Sequence, residues 1–228
     1  MSGRPTRILL VDDHVLVRSG MKALLDAQPD LEVTGEAGNG AEGVELALQS
    51  HPDVVLMDLA MPVLDGIEAT RRILAAGSSA RILVVTSHDD DSLVLRALRA
   101  GATGFFLKDA AADRLAEAVR AVAKGDTLLA PPIARRLVES QLGSSGTRVA
   151  LRPRFDPLTE REKDITRRLA RGLSNAALAQ ELGLSEATIK THVTRLLTKL
   201  QVRSRVQAVV LAYESGFIRP GHTGETEL

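Results

Sequence analysis

"VVLMDLAMPVLDG", residues 54–66, decides how this chain folds. Val54 to Met57 are core residues by type, yet Asp58 follows them directly and Met61-Pro62 break the chain away. An apolar run with no polar alternation suits a strand buried on both faces, the situation of a parallel sheet. Its tip then carries a carboxylate. Out of context such an Asp is most often a helix N-cap, so its surroundings determine whether it is more.

Working outward, the same pattern recurs. Apolar runs bounded by turn signals stand at 7–11 (RILLV), 31–36 (LEVTGE), 53–57 (DVVLM), 81–86 (RILVVT) and 103–107 (TGFFL). Amphipathic stretches separate them at 14–27, 40–50, 66–76, 91–100 and 111–124. In 91–100, for example, Leu93, Leu95, Ala97 and Leu98 are set against Arg96 and Arg99 at helical spacing. Five strands each followed by a helix predict a parallel sheet with helices on both faces over residues 1–126. Sheets of this kind gather their functional groups at the carboxyl ends of the strands.

The second half reads differently. Residues 127–153, including "APPIARRLVESQL" and "GSSGTRVALRP", suggest a linker with room for one short helix. From Leu158 the pattern is wholly helical, at 159–171, 174–182, 185–200 and 203–214, giving an all-α four-helix domain over 154–219. Thr159 and Glu162 form a capping-box signature. Ser174 and Ser185 stand where N-caps belong, and Gly183 where a helix stops. Residues 220–228 are expected to be a disordered tail.

Composition narrows the function classes. The 228 residues are 44% hydrophobic and 25% charged, with no cysteine, so disulfides and thiolate metal sites are excluded. No stretch approaches a membrane span, and "MSGRPTR" lacks the apolar core of a secretory signal, so a cytoplasmic location is expected. The formal net charge of zero hides a polarity. Residues 1–153 carry 17 Lys+Arg against 20 Asp+Glu, whereas 154–220 carry 12 against 7. Either only the second half meets a polyanion, or the imbalance is simply a solvated surface.

The strand ends carry chemistry. Asp12 and Asp13 close the first strand, Asp58 the third, Thr86 the fourth and Lys108 the fifth. Strands about 4.8 Å apart bring these tips to one edge. Crowded carboxylates repel unless a cation joins them, and oxygen-only ligands suit a hard divalent ion, most naturally Mg²⁺. With the Lys108 charge and the Thr86 hydroxyl, the set is suited to a phosphoryl group in transfer. His14, next to the acidic pair, reads as a surface residue at a helix start, and "HDDD" at 88–91 as a helix entry.

"ILLVDDH", "VVLMDLAMPVLDG", "VVTSHDD" and "GATGFFLKD" together resemble, in order, the four signature segments of a bacterial response-regulator receiver domain. The resemblance implies a flavodoxin-like doubly wound fold. By it Asp58 matches the phosphoacceptor, and Asp12, Asp13, Asp58 and the Ala60 carbonyl match the Mg²⁺ ligands. Thr86 and Phe105 match a switch pair, and Lys108 the phosphoryl contact. The Thr86 hydroxyl would move toward the phosphoryl group and open a space for Phe105, repacking the face formed by 91–100 and 103–107.

Residues 174–200, "SNAALAQELGLSEATIKTHVTRLLTKL", give helix, turn, helix. Leu178, Ala179 and Leu182 can pack against Ile189, Val193, Leu196 and Leu197, leaving Lys190, Thr191, Thr194, Arg195 and Lys199 on polar surfaces. That spacing alone leaves a generic helical hairpin open beside a DNA reader. The wording from "LTEREKD" to "QVRSRVQAV" resembles the LuxR-type helix-turn-helix domain, and the whole chain the NarL/FixJ class of response regulators. The resemblance implies base contacts from Lys190, Thr191 and Thr194 and phosphate contacts from Thr188, Arg195, Lys199, Arg203 and Ser204. It also implies a sensor histidine kinase as phosphodonor, a double-stranded DNA operator, and a homodimer on activation, with Val206, Val209, Val210 and Tyr213 offering a seam. Ala177-Leu178 replace a common Glu-Ile, and Gln201 replaces a common Gly that ends the recognition helix in the left-handed region, at a cost of about 1–2 kcal/mol.

Three rivals are weaker. An aspartyl-phosphate phosphatase wants a DxD after the first strand, where "DDH" stands. A ligand-sensing LuxR-type regulator tends to line its pocket with aromatics, and this chain has no Trp and one Tyr. A receiver that no longer accepts phosphate conflicts with intact Asp13, Asp58, Thr86 and Lys108.

Overall fold

Val54–Met57 forms the middle strand of a five-stranded parallel sheet in the computed structural model, which describes residues 4–87, 91–108, 113–125, 155–202 and 204–218. The expected linker and its short helix, the tail, Arg203 and most of "HDDD" lie outside the described residues. The chain divides into two units, Met1–Leu128 and Leu129–Leu228.

In the first unit β1 (Thr6–Val11), β2 (Leu31–Ala37), β3 (Val54–Met57), β4 (Arg81–Thr86) and β5 (Gly104–Leu107) alternate with α1 (Val15–Asp26), α2 (Gly40–Ser50), α3 (Gly66–Ala75), α4 (Asp91–Ala100) and α5 (Asp113–Ala123). The strand order is β2-β1-β3-β4-β5. Successive side chains of a strand point to opposite faces, and the sheet therefore splits its core in two. Ile8, Leu10, Val54, Leu56, Leu83 and Val85 pack with Met21 and Leu25 of α1 and with Leu115, Val119 and Val122 of α5. Leu9, Val11, Val55, Met57 and Ile82 pack on the other face with Ala47 of α2 and with Ala69 and Ile73 of α3. Both faces are dry, which is why these strands read as unbroken apolar runs.

The connection after β1 runs to β2 on one side and that after β3 runs to β4 on the other, so the topology reverses between β1 and β3. Their ladder is continued by Asp58 N–H donating to Val11 O at 2.9 Å. Ligands of doubly wound sheets bind at this reversal point, beyond the carboxyl strand ends. Gly66, which starts α3, is required here: a Cβ on it would fall 1.9 Å from the Asp58 carbonyl oxygen. Asp65 caps the same helix by accepting from Glu68 N–H.

The second unit contains α6 (Glu160–Ala170), α7 (Asn175–Leu182), α8 (Glu186–Leu200) and α9 (Arg205–Glu214). Ile165 and Leu169 of α6, Leu178 of α7, Ile189, Leu196 and Leu200 of α8, and Leu211 of α9 share one core with Phe155 and Leu158. Phe155 stacks on Phe217 at 4.3 Å, and Arg167 covers that ring at 5.4 Å. The expected caps form: Thr159 and Glu162 make a reciprocal capping box, Ser174 accepts from Ala177 N–H, and Ser185 from Thr188 N–H. Gly183 ends α7 in the left-handed region, and Gln201 ends α8 there too, with φ 57°.

Candidate functional site

Each residue of the acidic site is held by the backbone next to it. Asp12 N–H donates to Ala37 O, and the Asp12 carboxylate accepts the backbone N–H of His14 at 2.9 Å. Asp58 is fixed at the end of β3, and its Oδ1 accepts Leu59 N–H at 2.7 Å. Lys108 follows β5, where its N–H donates to Thr86 O at 3.0 Å. Its ammonium then lies 2.6 Å from Asp12 Oδ2 and 2.8 Å from Asp58 Oδ2.

These carboxylates are inside, Asp12 being 1% and Asp58 5% exposed. One lysine between two buried acids leaves an excess of negative charge where the local dielectric is low. Burial pulls the Lys108 ammonium down, but its hydrogen bonds to Asp12 and Asp58 outweigh that, and its pKa stands above the usual lysine value. Thr86 is buried at the end of β4. Phe105 is buried as well, opposite Val84 in the β4–β5 ladder, so the aromatic side chain is already inside. Ala60 is exposed beside the site.

The donor set suits a divalent cation. Asp12 Oδ2 and Asp13 Oδ1 are buried atoms with no well-directed hydrogen bond, facing the Lys108 ammonium and the His14 imidazole respectively. One oxygen from each of Asp12, Asp13 and Asp58 lies within 4.8 Å of the others, and one imidazole nitrogen of His14 is within the same distance. The sequence reading set His14 aside as a surface residue. The signal that could have found it was adjacency, since Asp13-His14 puts an imidazole one residue from the acidic pair.

In the second unit α8 buries Ile189, Leu196 and Leu200 and exposes Thr188, Lys190, Thr191, Thr194 and Arg195. The turn from α7 passes through Gly183 and Leu184, with Leu184 N–H donating to Ala179 O. Three threonines donate back to their own helix: Thr191 to Ala187 O, Thr194 to Lys190 O and Thr198 to Thr194 O. With the hydroxyl proton committed inward, the outward surface of each is an accepting oxygen and a methyl group.

Three expectations for this unit fall on residues that the fold already engages. Lys199 does not extend freely: its ammonium binds Glu162 Oε2 at 2.7 Å, and that Glu side chain is 4% exposed. A buried carboxylate needs a compensating cation, so Lys199 is committed to the fold before any phosphate arrives. Ser204 is buried, and its hydroxyl caps α9 by accepting from Gln207 N–H. Nor is the expected seam an open apolar stripe. Val206 and Val210 are buried, Val209 packs against the helical core, and Tyr213 donates its hydroxyl to Ala170 O. A helix this apolar on most sides buries more than one face.

Fold and site together define a class: a doubly wound domain that presents a lysine-bridged acidic pocket, carried on the same chain as a helix-turn-helix unit. The family model for the response regulator receiver domain matches residues 8–120, and that for bacterial regulatory proteins of the luxR family matches residues 156–212. The transcriptional regulatory protein LiaR of Bacillus subtilis is 43% identical over 212 residues, 93% of this chain and 99% of that protein. The nitrate/nitrite response regulator protein NarL of Escherichia coli K12 is 38% identical, covering 92% and 96%. Among solved structures, response regulator ChrA of a heme-sensing two-component system superposes with a TM-score of 0.51 at 36% identity, covering 94% of this chain and 99% of that one. The chain belongs to the response regulators that join a receiver domain to a LuxR-type DNA-binding domain, and it is a transcriptional regulator of the two-component type.

Proposed function

We propose that Asp58 accepts a phosphoryl group from a sensor histidine kinase and that the acyl phosphate governs how the helix-turn-helix domain binds an operator. The observation that carries this reading is the shared ammonium of Lys108, which holds the buried Asp12 and Asp58 together at the reversal point of the sheet. In the step, an Asp58 oxygen attacks phosphorus, the P–N bond to the donor imidazole breaks, and the leaving nitrogen keeps the electron pair. Asp12, Asp13, Asp58 and the Ala60 carbonyl would hold a Mg²⁺ ion, which when bound neutralises charge on the carboxylates and phosphoryl oxygens. Lys108 then exchanges Asp58 for a phosphoryl oxygen, and Thr86 donates its hydroxyl to another.

Phosphorylation adds about 1.5–2 negative charges at a buried position. Thr86 and Phe105 neighbour that charge on β4 and β5, and they relay it to the face made by α4 and β5. Because Phe105 is already buried, the switch rests on moving Thr86 more than on admitting the ring. The protein's only catalysis is its own phosphorylation and slow dephosphorylation. Val15, Leu16 and Val63 are the most exposed large apolar side chains among the described residues, and they flank Asp13 and Asp58 along the chain, which favours docking of a phosphodonor protein there.

On DNA, Lys190, Thr191 and Thr194 face bases in the major groove, the lysine donating to guanine and the threonine methyls meeting thymine. Thr188 and Arg195 face phosphates, with Arg203 as a further candidate. A homodimer on activation supplies paired half-sites, and residues 127–153 connect the switch to it. Among the described residues no helix is long and apolar enough to cross a membrane, and we place the protein in the cytoplasm. The test is incubation with acetyl phosphate and Mg²⁺, read by intact mass and by footprinting. One phosphoryl group should be gained with tighter operator protection, and Asp58→Asn should gain neither.

A further inference from the structure

The side chain at the start of α1 is unusual for its position. His14 is the N-cap residue, extended at φ −84° and ψ 104°, yet it makes no capping hydrogen bond. Its imidazole turns instead toward the acids, with Nδ1 2.8 Å from Asp13 Oδ1 and 3.7 Å from Asp12 Oδ1. The backbone that carries it is tied to the same cluster through the bond from His14 N–H to Asp12 Oδ1. Ligand atoms around one divalent ion bonded at about 2.0–2.2 Å lie some 3–4 Å apart. One imidazole nitrogen and one oxygen from each of Asp12, Asp13 and Asp58 fall within 4.8 Å of one another, close to that spacing.

We infer that His14 is a side-chain ligand of the cation site and widens its range from Mg²⁺ to first-row transition metals. This rests on the cation site proposed above. Mg²⁺ gains little from an imidazole, because it prefers oxygen and holds its waters. Mn²⁺ tolerates either donor, and Co²⁺ and Ni²⁺ bind nitrogen with rising strength. An ion on the three carboxylates would therefore find a nitrogen donor at the open side of the site, where the His14 side chain is 68% exposed.

The experiment is metal titration of the full chain by calorimetry, for wild type, His14→Ala and Asp13→Asn, with Mg²⁺, Mn²⁺ and Co²⁺ each used alone. His14→Ala should leave Mg²⁺ affinity unchanged, weaken Mn²⁺ slightly and weaken Co²⁺ by roughly tenfold or more. Pulsed electron paramagnetic resonance of the Mn²⁺ complex should show directly coordinated ¹⁴N in wild type and none in His14→Ala. Equal losses for all three ions without a change in the nitrogen signal would mean that His14 only orients Asp13, and would overturn the inference. So would no loss for any ion, leaving the oxygen site standing. If Asp13→Asn bound all three ions as wild type does, the cation site itself would be wrong, and the inference would fall with it.

Discussion

The two functional surfaces are built on opposite principles. In the receiver unit the chemistry is buried and already paired: Asp12, Asp58 and Lys108 share contacts of 2.6 and 2.8 Å. On α8 the groups assigned to DNA are exposed, and the threonines bond only to their own helix. A buried, coupled set behaves as a unit, so removing one member disables it. Exposed, separated groups contribute independently and by smaller amounts. One design makes a switch and the other a graded reader.

The largest effect expected is therefore at the pocket. Asp58→Asn should abolish phosphoryl uptake from acetyl phosphate, as read by intact mass, while leaving basal DNA binding in place. Lys108→Ala should nearly do the same, and it also leaves two buried acids without their cation. The linkage has a defined sign. Lys108 has a raised pKa when folded, so its contribution to stability is present below its ordinary value of 10.5. It is lost as pH rises through the folded value. A receiver whose alkaline unfolding were the same with and without Lys108 would break the picture of a coupled pocket.

Next comes a place where the reader resembles the switch. Burial pushes the Glu162 carboxyl up, but the bonds from Lys199 and Thr159 outweigh that and hold it below its ordinary 4.5. A depressed carboxylate stabilises the fold above that ordinary value, and the stability is lost as pH falls through the folded one. Lys199→Ala leaves the buried Glu162 uncompensated. With the lysine itself partly open to solvent, the discounted cost is about 1–3 kcal/mol, seen in denaturant unfolding of the helical unit. Lys199→Ala should thus weaken DNA binding mainly through fold stability, with the salt slope unchanged. A slope flattened by about one unit would restore Lys199 as a phosphate contact.

Two exposed positions should then separate cleanly. Lys190→Ala is expected to cost about 1–3 kcal/mol on the preferred operator and to relax base choice at one position. Arg195→Ala should weaken binding to all duplexes alike and reduce the salt slope by about one. Titrations on specific and random DNA at several salt concentrations measure both. If the two variants lost affinity in parallel on both duplexes, the division into base and phosphate contacts would not hold.

What the sequence made legible follows the same division. The sheet was readable because the faces of its inner strands are dry, so β1, β3 and β4 announced themselves as apolar runs with polar tips. Gathering Asp12, Asp58 and Lys108 needed only strand ends and parallel order. The ion pair of Lys199 with Glu162 was hidden, because it joins residues 37 apart on helices whose surface charges all look alike in sequence. Ser204 was assigned to a phosphate by resemblance alone, and its role as the cap of α9 shows only in the bond from Gln207 N–H to its buried hydroxyl. In α9 the apolar residues run nearly all round the helix, so periodicity could not separate a seam from a core. His14 is exposed, as its type suggests, and what sequence alone did not show is that its Nδ1 lies 2.8 Å from Asp13.

The smallest effect concerns the end of the recognition helix. Gln201 sits at φ 57° and ψ 40°, the left-handed conformation that costs a side-chain-bearing residue about 1–2 kcal/mol. Its N–H still donates to Thr198 O, and Val202 N–H donates to Leu197 O, so the turn forms with its hydrogen bonds intact and the strain is accepted. Gln201→Gly relieves that strain but gives the unfolded chain more freedom, which offsets part of the gain. The net expectation is about 0.5–1 kcal/mol of added stability with no change in base preference, measured by denaturant unfolding beside operator titration. A destabilised glycine variant would mean that the Gln201 side chain supports the turn; a stabilised one with altered base preference would mean that this strained end tunes how α8 enters the groove.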